Sequence, residues 1–121
     1  MKITKFSDLK IWQEATKISL QIYKLSRKFP TEEKFGITSQ LRRCSTSVGA
    51  NIAEGFGRYH YKDKIRFFYL ARGSLFESQN FILFSGELGY LDSDTTANLC
   101  KQYDNLSRRI NAFIKSLKAN I

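Results

Sequence analysis

A chain of 121 residues is long enough to bury one core without disulfide or metal staples, and 42% hydrophobic content with ten Phe and six Tyr is too apolar for a disordered segment. Twenty Lys/Arg against eleven Asp/Glu give a net charge of +9. That charge suits an anionic partner, nucleic acid ahead of a membrane surface, and equally suits a surface that is merely solubilising.

Cys44 and Cys100 are far apart, with no second cysteine at metal or redox spacing, so both read as free buried thiols in a reducing compartment. The first nine residues lack the apolar run of a signal peptide. No stretch approaches the roughly 18 apolar residues that cross a bilayer. The expectation is one cytoplasmic domain over residues 1–121 that does not engage a membrane. Charge is uneven along it: residues 1–30 are +5, residues 31–60 and 61–91 are +1 each, and residues 92–121 are +2. No run of Lys/Arg makes a basic arm.

Ser7 or Asp8 is the expected cap of a first helix that runs to about residue 28. Ile11, Ala15, Ile18, Ile22, Leu25 and Phe29 alternate four-three spacing along it, and Trp12 and Tyr23 widen the stripe. Pro30 ends the element. Gly36 is available as a positive-φ cap, and Thr38 as the N-cap of a second helix reaching residue 54, where Gly55 and Gly57 break it. Gly49, costly inside a helix, suggests close helix approach. A third helix is expected from residue 62 or 63 to about 88. Ile65, Phe68, Leu75 and Ile82 form its seam, broadened by Tyr69, Phe76 and Leu83 and interrupted by Arg72, Ser74, Glu77 and Ser78. Gly89 is its natural C-terminal cap. Ser93 begins a fourth helix with Leu99, Tyr103, Leu106, Ile110, Phe113 and Leu117 at four-three spacing. No segment alternates like a strand. Short connections between long helices predict an all-α, antiparallel up-down-up-down four-helix bundle.

The second helix is the most informative segment. Leu41, Cys44, Val48 and Ile52 make one stripe, and Arg43, Ser47, Asn51 and Glu54 make a polar row beside it. With Arg72, Ser74 and Glu77 of the third helix, that row predicts a structural polar network fixing helix pairing or subunit register. Glu54 and Glu77 would form an acid–base pair if they met; salt bridges to Arg43 or Arg72 are the favoured alternative. His60, the lone histidine, reads as a solvated loop residue. No cluster has zinc spacing, Glu-x-x-His pairs are missing, and Gly55-Phe56-Gly57 is too short for a phosphate loop. No cofactor, metal or catalytic residue is expected.

Candidate nucleic-acid contacts fall in three places. Arg42, Arg58, Lys62, Lys64 and Arg66 surround the second turn with Tyr59 and Tyr61, where cations would meet phosphates and tyrosines would stack on unpaired bases. An ordinary polar turn explains them as well. Lys24, Arg27 and Lys28 at the end of the first helix, and Arg108 and Arg109 on the fourth, are the others. On a helical wheel Phe67 and Phe81 leave the main seam of the third helix, which predicts a homo-oligomer interface.

Several strings together carry a resemblance. They are Phe6-x-Asp8-Leu9-x-x-Trp12-Gln13, Ile22-Tyr23, Phe29-Pro30-x-x-Glu33, Gln40-Leu41-Arg42-Arg43, Asn51-Ile52-Ala53-Glu54-Gly55, Gly57-Arg58, Gly73-Ser74-Leu75-x-Glu77 and Leu88-Gly89-Tyr90-Leu91. Over roughly residues 6–117 the chain resembles the four-helix-bundle proteins of the 23S rRNA intervening-sequence type. The resemblance implies a small bacterial protein, often encoded within insertions of 23S rRNA genes, that assembles as a homopentamer. It also implies kinship with accessory variability determinant proteins of diversity-generating retroelements, basic pentameric barrels that bind a reverse transcriptase and nucleic acid. Arg43, Ser47, Asn51, Glu54, Ser74 and Glu77 match the family's polar signature. Cys44 stands where a small alanine is usual, Gly49-Ala50 where proline and serine are frequent, and residues 78–81 where the family is more acidic. The functional expectation is a non-catalytic oligomeric accessory protein that binds nucleic acid, structured RNA ahead of DNA. The alternative is a protein–protein scaffold or adaptor with no nucleic-acid contact.

Overall fold

Each apolar stripe becomes a helix. The structure, a computed structural model, describes residues 2–121. It contains α1 (Lys10–Ser26), α2 (Ile37–Gly57), α3 (Tyr61–Glu87) and α4 (Ser93–Lys118), with single 3-10 turns at Phe6–Asp8 and Thr31–Glu33 and no strand among the described residues. Ile18 and Ile22 of α1, Val48 and Ile52 of α2, Leu75 and Ile82 of α3, and Leu106 and Ile110 of α4 meet in one core. Each such side chain, fully buried, contributes roughly 1.5–3 kcal/mol.

α1 packs on α2 and α4, and α3 packs on the same two helices. Cross-helix bonds give the register. Gln21 pairs with Gln102 and Glu14 with Arg109, so residue numbers rise along α1 as they fall along α4. The same opposition holds for Ser19–Ser45 and Ser26–Arg42 between α1 and α2, and for Ser74–Ser47 and Lys64–Phe56 between α3 and α2. Arg72–Asn111 and Gln79–Cys100 repeat it between α3 and α4.

The helix ends differ from expectation. Neither Ser7 nor Asp8 caps α1: they lie in the 3-10 turn, and Leu9 precedes the helix with no side-chain cap because it is drawn into the core. Gly36 has φ −108°, not a left-handed value, and Thr38 is buried inside α2. The Ile37 amide instead donates to the Glu33 carboxylate at 3.4 Å. α4 does begin at Ser93, and Asp92 caps it, accepting the Thr95 amide at 2.7 Å; the hydrogen bonds from Thr95 hold its carboxyl below the usual range. Gly89 does what the sequence demands: at φ +80° it lets the Tyr90 amide reach back to the Ser85 carbonyl at 2.9 Å.

Gly55 and Gly57 do not break α2, which continues through both. A Cβ on Gly55 would stand 3.0 Å from Phe68 Cε2 and 3.2 Å from the Lys64 carbonyl oxygen, so this glycine lets α2 and α3 close on each other. Gly86 serves α4 in the same way, its Cβ position lying 2.8 Å from Thr96 Oγ1. Gly49 does not mark a tight contact; an added Cβ would meet Trp12 no nearer than 3.6 Å.

The seam of α3 forms as expected, with Ile65, Phe68, Leu75 and Ile82 all buried, but its flanks differ. Its buried line runs through Ile65, Phe68, Ala71, Leu75, Ser78, Ile82 and Ser85. Ser78 and Ser85 are core residues rather than interruptions, because their hydroxyls donate to the Ser74 and Phe81 carbonyls of their own helix at 2.9 and 2.7 Å. Tyr69, Phe76 and Leu83, expected to broaden the seam, lie on the solvent side instead. Phe67 and Phe81, expected on a second face, are half-buried, and Phe81 packs against the core.

Two substitutions test this packing. Gly55→Ala crowds the Phe68 ring and the Lys64 carbonyl, and should cost about 1–3 kcal/mol in urea denaturation. Tyr103 is fully buried, and among the described residues its hydroxyl has no partner in good hydrogen-bond geometry, the Ser78 hydroxyl being the group beside it. Tyr103→Phe removes that lone polar group and should raise stability by about 1 kcal/mol; a loss of stability in the same assay would show that the hydroxyl is bonded.

Candidate functional site

Residues 58–60 alone join α2 to α3, so the end of one helix and the start of the next present their cations together. Arg58 lies beside Glu54 at 3.4 Å and also over the ring of Phe67 at 4.6 Å. The Arg66 guanidinium approaches the same ring at 4.7 Å. Phe67 thereby orients two arginines whose charges remain open to solvent. Tyr59 is 88% exposed and meets His60 edge-on at 5.0 Å. Tyr61 and Lys62 follow, both exposed.

Lys64 has a different task. Its Nζ donates to the Phe56 carbonyl at 2.7 Å, closing the end of α2, and burial lowers its pKa. It is half-buried and committed to the fold.

The opposed order of the helices brings the C-terminus here as well. A cleft of about 450 Å³ is lined by His60, Tyr61, Lys62 and Asp63 from the turn and by Asn120 and Ile121. Lys118 and Arg72 both lie over the Tyr69 ring, at 5.4 and 4.8 Å. Residues 108–121 hold Arg108, Arg109, Lys115 and Lys118 and no acid. At the other end of α3 and α4, residues 87–94 hold Glu87, Asp92 and Asp94 and no cation. The net charge is therefore polarised along the helices, toward the α2–α3 turn.

The other predicted cations do not join that surface. Arg42 stands sixteen residues before Arg58, about 24 Å along α2. It donates to Ser26 Oγ at 2.8 Å and to the Tyr23 carbonyl at 3.2 Å, with its guanidinium over the Tyr23 ring. It is a clamp between α1 and α2. Lys24, Arg27 and Lys28 are exposed but lie toward the acidic end, where Lys24 shares a cleft of about 510 Å³ with Asp94. Arg109 is paired with Glu14, and Arg108 with Asn105.

The polar row divides in two. Ser74 donates to Ser47 Oγ at 3.0 Å, and Asn51 Nδ2 reaches both the Ser47 hydroxyl and its carbonyl. That neutral triad ties α2 to α3. The expected arginine pairs do not form: Arg43 bonds Gln40 and Arg72 bonds Asn111. Glu54 is with Arg58, whereas Glu77 lines a cleft of about 340 Å³ with Gln40, Arg43, Cys44 and Ser47. The two carboxylates thus sit at different levels of the α2–α3 seam and form no acid–base pair. Among the described residues Glu77 has no cation within 4 Å. Burial pushes the Cys44 thiol up, away from the reactive thiolate. Among the described residues no group of three or more His, Cys, Asp or Glu could hold a metal, and no helix is long and apolar enough to cross a membrane.

The model of the 23S rRNA-intervening sequence protein family matches residues 7–112. The chain belongs to that family. The crystal structure of a protein of unknown function from the S23 ribosomal protein family of Bacteroides thetaiotaomicron is similar at 20% identity. The likeness covers 87% of this chain and 95% of that one, with a TM-score of 0.80, and it establishes a shared fold. No curated protein matches the sequence. The family match takes in the polar triad and the basic turn, and it stops before Lys115 and Lys118.

Two contributors were not singled out from sequence, Phe67 as the platform under Arg58 and Arg66, and Lys118. Antiparallel pairing of α3 and α4 was the signal that would have placed Lys118. Because Arg42 is a clamp, Arg42→Ala should cost about 1–2 kcal/mol in urea denaturation while leaving any polyanion affinity within twofold.

Proposed function

We propose that this protein is a non-catalytic, oligomeric accessory protein of the cytoplasm that binds nucleic acid, structured RNA in particular, through the end of the bundle carrying the α2–α3 turn. The opposed residue order of every neighbouring helix pair supports an up-down-up-down arrangement, which brings that turn beside the C-terminus. The observation that carries the reading is the axial polarity of charge. Arg58, Lys62, Arg66 and Lys118 gather at one end with the exposed Tyr59, while Glu87, Asp92 and Asp94 occupy the other. Cations there displace condensed counterions from phosphates, and Tyr59 offers a flat face to an unpaired base in a loop or bulge.

The alternative role, an adaptor for another protein, draws on the apolar outer side of α3. A specific partner recovered equally with and without nuclease treatment would favour it.

Fluorescence anisotropy with a labelled RNA hairpin tests the first reading. Affinity should fall steeply as salt rises, and Arg58→Glu with Arg66→Glu should weaken binding more than tenfold and flatten the salt slope by about 1–2. Arg27→Glu with Lys28→Glu should leave affinity within about threefold, since those residues are exposed at the opposite end. Tyr59→Ala should lose affinity for the looped hairpin and not for a blunt duplex of the same length. Absence of binding at low salt, or equal sensitivity to both charge reversals, would rule the basic end out.

A further inference from the structure

We infer that two apolar faces left open by the fold, the outer side of α3 and the groove between α1 and α2, bind each other on successive copies of this chain, head to tail. The inference rests on the oligomeric part of the proposed function and not on nucleic-acid binding.

The first face is a ridge. Phe76, Leu83 and Phe84 lie on the outer side of α3, each a little over half exposed, and Leu70 and Leu88 extend them toward either end. A helix of a lone bundle keeps one side polar. α3 is instead apolar on both sides, as helices covered on both sides are.

The second face is a groove of about 330 Å³. Trp12, Thr16, Leu20 and Tyr23 of α1 and Thr46, Gly49 and Ala50 of α2 line it, and Leu20 is 67% exposed at its lip. Its apolar lining and its width suit side chains of the size of Phe and Leu.

Each face holds a glycine that the chain's own packing does not require. A Cβ on Gly49 would make only ordinary contacts, and a Cβ on Gly73, on the outer side of α3, would meet nothing within 4 Å. Glycine inside a helix costs roughly 0.5–1 kcal/mol relative to alanine. Both fit the approach of a second backbone. Gly55 and Gly86, by contrast, are explained within the subunit.

Charge selects the pairing. Residues 73–91 contain Glu77 and Glu87 and no cation. Beside the groove, Lys17 and Lys24 are exposed one turn to either side of Leu20. An acidic apolar ridge on a basic apolar groove is complementary, whereas ridge on ridge sets like charges together. Two different faces of one chain make a heterologous contact, which propagates around a ring when the rotation closes.

Sedimentation velocity and mass photometry test this with a ridge variant, Phe76→Asp with Phe84→Asp, and a groove variant, Leu20→Asp with Ala50→Glu. All four positions are exposed, and circular dichroism should report unchanged helix content. The wild-type protein should be larger than a dimer and each variant a monomer. Mixed in equal amounts, the two variants should give a one-to-one dimer and nothing larger, because one intact ridge and one intact groove remain. Should either pair unfold the subunit, a charge swap replaces it. Glu77→Lys with Glu87→Lys, or Lys17→Glu with Lys24→Glu, should each weaken assembly at least tenfold, and the two proteins mixed should reassociate. A wild-type monomer at micromolar concentration overturns the oligomeric reading itself. A wild-type oligomer that survives either variant, loses assembly to the ridge variant alone, or fails to regain a dimer on mixing, overturns only the head-to-tail pairing.

Discussion

The third helix passes between its two neighbours where its side chains are smallest, and much else depends on that fit. Gly55 of α2 receives Phe68, Gly86 of α3 receives Thr96, and Ser78 and Ser85 fill the line between them. Small residues let backbones approach, and serine is admitted because its hydroxyl returns to a carbonyl one turn back. Phe68, Leu75 and Ile82 fill the inner side of α3, whereas Phe76, Leu83 and Phe84 stand on its other side and are left outside, so the rotation that completes the core also creates the ridge.

The same opposed residue order across the helix pairs sorts the charges. No unbroken run of Lys/Arg makes a basic arm, yet the α2–α3 turn and the acid-free segment 108–121 come to the same end, while Glu87, Asp92 and Asp94 take the opposite one. Phe67 then holds Arg58 and Arg66 on one ring, so two long side chains surrender part of their rotamer freedom before any ligand arrives. Glu54 moderates Arg58 but is itself exposed, so the pair is weak.

What could be read in advance follows from this division. The four helices were legible because Ile, Leu and Val at four-three spacing are unambiguous over seventeen or more residues. Gly89 was legible because its place after an apolar run leaves a left-handed cap as the natural reading. The seam of α3 was legible too, but its flanks were not, since apolar residues surround it and Ser78 and Ser85 look polar until their hydroxyls are followed to carbonyls. Arg42 was misplaced for a simpler reason. It was grouped with Arg58 around the second turn, but it lies near the start of α2, which carries the two about 24 Å apart. The polar row held only in part, Ser47, Asn51 and Ser74 by short bonds within reach, while the longer arginines found nearer partners in Gln40 and Asn111.

The two proposed surfaces constrain each other through geometry. Ridge and groove both run along the sides of the bundle, whereas the cations gather at its end. A head-to-tail contact between sides, repeated about an axis roughly parallel to the helices, leaves every basic end on the same rim and every acidic end on the other. Each added subunit then enlarges one continuous cationic surface without adding repulsion across the interface, where Glu77 and Glu87 face Lys17 and Lys24. Linked binding sites act at a raised effective concentration, so weak contacts of a few phosphates per subunit multiply over a structured RNA that spans several of them. On this account assembly is what turns a modest basic tip into a nucleic-acid platform, and the apolar cost carried on α3 is the cost of forming it.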